Sequence, residues 1–232
     1  MKFIAAATVS AVGASALGAP SLGPVDHTNH IIYGSASYQA HAVDAEPVLA
    51  DFRGASAIFS NMDAGAGFQS FAPNDITVDG EVAAIGFDDY TSIALGTTQL
   101  SAFRFVGGVQ EAGGVMFVDF FDASGTALGG FGIQLDDAGT FIYNITVNSV
   151  VDVADAGFVQ ISVDDDGQFA DGVQTTGQWF LSDAGATIGA NGPDGGASAG
   201  ALNHNFELTT VPAPGAMALL GLGGLVAGRR RR

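Results

Sequence analysis

From residue 48 onward the chain is a succession of short apolar runs, each cut off by Gly, Asp or Asn, and that rhythm suits strands rather than helices. The clearest runs are Val82 to Phe87, Leu100 to Val106, Val115 to Phe121, Leu128 to Leu135, Phe141 to Val147, Phe158 to Val163, Gln178 to Leu181 and Phe206 to Thr209. Several alternate with period two. Val159, Ile161 and Val163 fall on one face and Gln160 and Ser162 on the other, while Phe141, Tyr143, Ile145 and Val147 oppose Asn144 and Thr146. Val115 to Phe121 is apolar on both faces except at Asp119, the pattern of a central strand covered on both sides. No window of a dozen residues keeps a capped 3.6-residue period. Strands recurring every ~10–17 residues between such turns predict an all-β body, a β-sandwich of jelly-roll type, over residues 48–210.

The acidic residues point the same way. Twenty are Asp and four are Glu, and Asp favours turns where Glu favours helices. Asp122-Ala123-Ser124-Gly125, Asp136-Asp137-Ala138-Gly139, Asp164-Asp165-Asp166-Gly167 and Asp171-Gly172 read as the turns between strands. Residues 184–200 read as a Gly/Ala-rich surface loop.

All 24 acids lie between Asp26 and Glu207, against only two internal cations, Arg53 and Arg104. With no basic patch to release counterions, nucleic acid is excluded as a partner. Cysteine is absent, so the body has no disulfide, zinc-thiolate site or thiol nucleophile.

Few residues suggest chemistry. Gly196-Ala197-Ser198-Ala199-Gly200 matches a nucleophile-elbow spacing, but its flanks are loop and the acid and His that should follow come in the wrong order. Among 24 carboxylates, sequence spacing selects no glycosidase-like pair. His27 and His30 would meet on one helical turn, but the surroundings are not helical and two ligands are incomplete, so they read as exposed polar residues. Asp164, Asp166 and Asp171 are the candidate calcium ligands, calcium being the one cofactor suggested, although EF-hand spacing fails at Gln168 and a solvated acidic turn is the simpler reading. Trp179 is either a sugar-stacking platform or core, and its apolar neighbours favour core.

The two ends carry addresses rather than fold. Lys2, the apolar run from Ile4 and the small residues Ala14 and Ala16 follow the order of a secretion signal, cut after Ala16. A buried N-terminal helix is the competing reading. Residues 17–47 then form an N-terminal extension that contributes at most a strand at Ile31 to Tyr33.

At the other end, Val211-Pro212-Ala213-Pro214 precedes an apolar run of 13 residues, Ala216 to Gly228, and then Arg229, Arg230, Arg231 and Arg232. As a helix that run spans about 20 Å, short of a ~30 Å hydrocarbon layer, and the Arg cluster would stay on the cytoplasmic side. The 211–232 tail resembles the PEP-CTERM family of sorting signals, with Ala213 where that family has Glu. The resemblance implies an exported protein, handled by the export machinery and an exosortase-like processing enzyme. Its tail would enter the membrane transiently, and the body would reach the cell surface or extracellular matrix in association with exopolysaccharide. An ordinary single-pass anchor is the competing reading of the tail. A structural or adhesive role, not an enzymatic one, is therefore expected, with a secreted carbohydrate-binding module or glycoside hydrolase as the alternative.

Overall fold

The computed structural model describes residues 25–43, 57–62, 67–71, 86–164, 168–169, 172–183, 185–192 and 202–210. Fifteen strands are found among them. In chain order they are β1 (Ile32–Tyr33), β2 (Tyr38–Ala42), β3 (Ala57–Ser60), β4 (Gly67–Phe71) and β5 (Gly86–Thr91). Then come β6 (Thr98–Val109), β7 (Val115–Asp122), β8 (Ala127–Gln134), β9 (Gly139–Thr146) and β10 (Asp152–Val153). The last are β11 (Ala156–Val163), β12 (Gly177–Ser182), β13 (Ala190–Asn191), β14 (Asn203–His204) and β15 (Phe206–Thr210). The only helices described are two single 3-10 turns, His27–Asn29 and Ser35–Ser37.

The strands form two sheets. The first runs β1-β8-β7-β11-β5-β13, and all its pairings are antiparallel except that of β1 with β8. The second is built around the long β6, flanked on one side by β9, with β2 beyond it; its other side pairs with β15 along residues 100–105 and with β12 along 107–109, and β3 lies beyond β15. The inner faces meet in one aromatic core. Phe103 of β6 lies 5.9 Å from Phe120 of β7 and 6.1 Å from Phe131 of β8, and Phe59 of β3 lies 5.6 Å from Tyr90 of β5, centroid to centroid. Burying such rings stabilises the fold by roughly 1.5–3 kcal/mol each.

The period-two reading matches the packing. Val159, Ile161 and Val163 are buried in the core, and β7 is central, as its two apolar faces require. Met116, Val118 and Phe120 face the other sheet; Val115 and Phe117 face outward and are covered by Ile32, Phe169 and Val173. Residues 32–42, expected to be mostly an extension, instead supply a strand to each sheet. Tyr33 fixes the crossover by accepting from the Asn148 and Ser149 amides, both at 2.9 Å.

Candidate functional site

The outer face of the first sheet brings together residues that lie far apart in the chain. Asp119 points outward from the middle of β7, opposite Gly130 of β8 and Gln160 of β11, and is only 1% exposed. A carboxylate so buried needs partners, because an unpaired one costs several kcal/mol. It finds them in the segment before β1. His27 Nε2 donates to Asp119 Oδ2 at 3.0 Å, and His30 Nε2 donates to Oδ1 at 2.7 Å. Burial alone would raise the Asp119 pKa. The two imidazole hydrogen bonds and the rings' charge together outweigh it, leaving the carboxyl below the usual range.

Local chemistry explains why both rings arrive on one side. Asp26 caps the His27–Asn29 turn, its Oδ1 accepting from the Thr28 amide at 2.9 Å and hydroxyl at 2.6 Å. In a 3-10 turn, side chains three apart eclipse, so His27 and His30 share a face. Their rings are 4.9 Å apart, edge to face. His27 lies flat on Phe117, centroids 3.9 Å apart and planes 7° apart, and Phe169 packs against the far part of Phe117 at 5.2 Å.

Gly130 supplies the room. A Cβ there would collide with Asp119 Oδ1 and come within 2.6 Å of His30 Nε2. Parallel pairing of Ile32 with Gly132 carries the segment across this glycine-lined strand.

The side chains of His27 and His30 are 18% and 9% exposed. The reading of both as exposed polar residues is corrected: they are ordered against Asp119. The two imidazoles and the carboxylate each offer a donor atom, and these atoms all lie within 4.8 Å of one another. The arrangement is at once a hydrogen-bonded clamp on the N-terminal segment and a three-donor cluster with a solvent-facing side.

The other candidates fare differently. Asp164 is buried rather than solvated. Its Oδ2 accepts from the Phe169 amide at 2.8 Å and its own amide donates to Val115 O at 2.9 Å, so it ties Phe169, which packs on Phe117, to the end of β11. Asp166 and Asp171 lie outside the described residues, as do Ala14, Ala16, the elbow-like Ser198, Val211, Pro212, Ala213, Pro214 and Arg229 to Arg232. Trp179 is fully buried, and its Nε1 donates to Asn205 O at 3.1 Å, so it is core rather than a sugar platform.

A second His–Asp neighbourhood, unmarked by the sequence, lies at the seam between the sheets. Asp88 of β5 accepts from the amides of Asp89 and His204, while the His204 ring stacks on Trp179 with centroids 4.0 Å apart. On the second sheet's side of this seam, Asn61 donates to His204 O at 2.7 Å and accepts from the Phe206 amide at 2.9 Å, tying β14 to β15. The spacing of His27 and His30 and a lone Asp inside an apolar strand were the sequence signals for the outer cluster, and nothing in the sequence tied the pair to the Asp. No family model matches the chain, and no curated protein or solved structure matches it either.

Proposed function

We propose that this chain is an exported surface or extracellular-matrix protein, sorted through its PEP-CTERM-like tail. Its body would serve a structural or adhesive role alongside exopolysaccharide. The observation that carries the reading is the order of the sequence: an export signal, a strand-forming acidic body, then a Pro-x-Pro, apolar and poly-Arg end. The body suits that role. Its two sheets share a dense aromatic core, and its tryptophan belongs to the core rather than to a binding surface. Consecutive strands pass repeatedly between sheets, from β5 to β6, β6 to β7 and β8 to β9, as wrapped jelly-roll connections do.

The test is to recover surface-held protein from its native cell and map both termini by mass spectrometry. The expected species begins near Leu17 and lacks Arg229 to Arg232. Surface protein still carrying Met1 would overturn export by signal cleavage, and surface protein retaining the intact Arg end would overturn sorting in favour of a plain anchor.

A further inference from the structure

We propose that His27, His30 and Asp119 form a binding site for a divalent transition ion of the zinc class, and that the ion staples the N-terminal segment to the outer face of the first sheet. The inference stands on the geometry of the described residues and is independent of whether the tail is a sorting signal.

The donor set selects the class of ion. Two imidazole nitrogens and one carboxylate suit a borderline ion such as zinc, whereas calcium and magnesium prefer shells made of oxygen. Spacing agrees. Zinc bonds of 2.0–2.1 Å at tetrahedral angles put neighbouring ligand atoms about 3.3 Å apart. Each Nε2 now shares its proton with its own carboxylate oxygen, at 3.0 and 2.7 Å; on binding, that proton shifts to Nδ1 or leaves to solvent, and the three donor atoms, already within 4.8 Å of one another, adjust to that spacing. His27, the more exposed of the three, leaves the open side facing solvent, where water can complete the shell.

The surroundings are built to hold the ligands. Phe117 supports the His27 ring from below, the Asp26 cap holds the turn that aligns the two imidazoles, and Gly130 keeps the space clear. Asp119 is rooted in a central strand, so one ligand is rigid while two arrive on a segment of the chain. That asymmetry determines what binding does. The first histidine and the aspartate are 92 residues apart, and an ion that joins them only in the folded chain stabilises the docked state by mass action. The acidic body also attracts cations towards the site.

The experiment uses the full chain, stripped with a chelator and titrated with zinc chloride against a chromophoric competitor. Thermal unfolding and hydrogen exchange of residues 25–33 are followed in parallel. One zinc per chain is expected. At free zinc about 100 times the dissociation constant, the unfolding midpoint should rise by roughly 5–10 °C for a chain of this size. Exchange of residues 25–33 should slow, and calcium or magnesium at matched ionic strength should do neither.

His27→Ala, His30→Ala and Asp119→Asn should each weaken binding at least about tenfold, while His41→Ala should bind as the parent does. The two histidine variants alter a segment outside the core, so they decide the matter even if Asp119→Asn fails to fold. Equal shifts with calcium or magnesium, tight zinc binding retained in both histidine variants, or zinc binding without slower exchange at residues 25–33 would each overturn the proposal.

Discussion

Two regions of this molecule set a histidine beside an aspartate, and they do opposite things with the same side chains. At the seam, Asp88 gives its oxygens to backbone amides, and the nearest His204 ring nitrogen stays 3.7 Å away because the ring lies on Trp179. The residues around it are almost wholly buried. Asn205 donates to Asn61 O at 3.0 Å and Ser182 Oγ at 2.9 Å, tying strands of the second sheet together, while the His204 amide bond to Asp88 crosses to the first. On the outer face, by contrast, two ring nitrogens aim at one carboxylate from a half-exposed turn. Proximity in itself carries no function. The direction of the nitrogens and an open side separate a candidate ligand set from a structural joint.

The sharpest way to separate the two is to break the joint. Trp179→Ala removes a fully buried indole and leaves Asn205 O without its donor, and should cost about 3–5 kcal/mol in urea unfolding. Because the seam shares no described partner with the outer cluster, zinc should stabilise this variant and the parent by the same increment, within about 0.5 kcal/mol. A larger coupling would mean that the two regions are one network.

A smaller effect is expected from filling the space beside the cluster without touching a donor. Gly130→Ala sets a methyl against Asp119 Oδ1, 2.5 Å from Val118 O and 2.6 Å from His30 Nε2. Overpacking of this kind typically costs about 1–3 kcal/mol, and here it should also abolish the zinc-induced rise in the unfolding midpoint. Gly132→Ala, two residues on, meets the flexible end of Ile32 and comes within 3.2 Å of the Phe117 ring but touches no donor atom, and should keep the zinc response. If Gly130→Ala responds to zinc as the parent does, the cluster is not where the ion binds.

The long strands were legible from their apolar runs: β9 and β11 alternate, and β7, apolar on both faces, is the central strand between β8 and β11. What escaped was short or polar. β5 runs on through Asp88-Asp89-Tyr90, past the apolar run expected to end at Phe87, and there Asp88 accepts the His204 amide from the other sheet. The two-residue β13, inside the expected 184–200 loop, and the equally short β10 and β14 fall below any detectable period. A single 3-10 turn is likewise too short to declare itself, so His27 and His30 looked like loop residues although their spacing already placed both rings on one face. Asp119 was visible as an anomaly in an apolar strand. Its partners were not, because 89 and 92 residues separate them from it and nothing local records a contact of that range.

The smallest effect belongs to a third carboxylate, three residues along β7 from Asp119 but in water. Asp122 Oδ1 accepts from the Ser124 amide at 2.8 Å, the Ser124 hydroxyl at 2.6 Å and the Thr126 amide at 3.0 Å, closing the turn into β8. The Ser124 hydroxyl bond, then the Thr126 amide, hold its pKa below the ordinary value. Asp119 is shifted in the same direction, but by partners that must overcome burial. Since the folded-state pKa of Asp122 is depressed, its stabilisation is complete above the unfolded value of about 3.9 and is lost as pH falls through the lower folded one. Asp122→Asn keeps an acceptor oxygen but has no charge to lose. The parent should therefore unfold at a slightly higher temperature than Asp122→Asn near neutral pH, and the gap should close in acid below the carboxylate range. The variant also lacks one of the mutually repelling charges of the acidic body, so the comparison is made at raised salt, where exposed repulsion is screened. A gap that persists unchanged into strong acid would mean that the turn is held by shape rather than charge, and the likeness between Asp122 and Asp119 would end at the direction of their shifts.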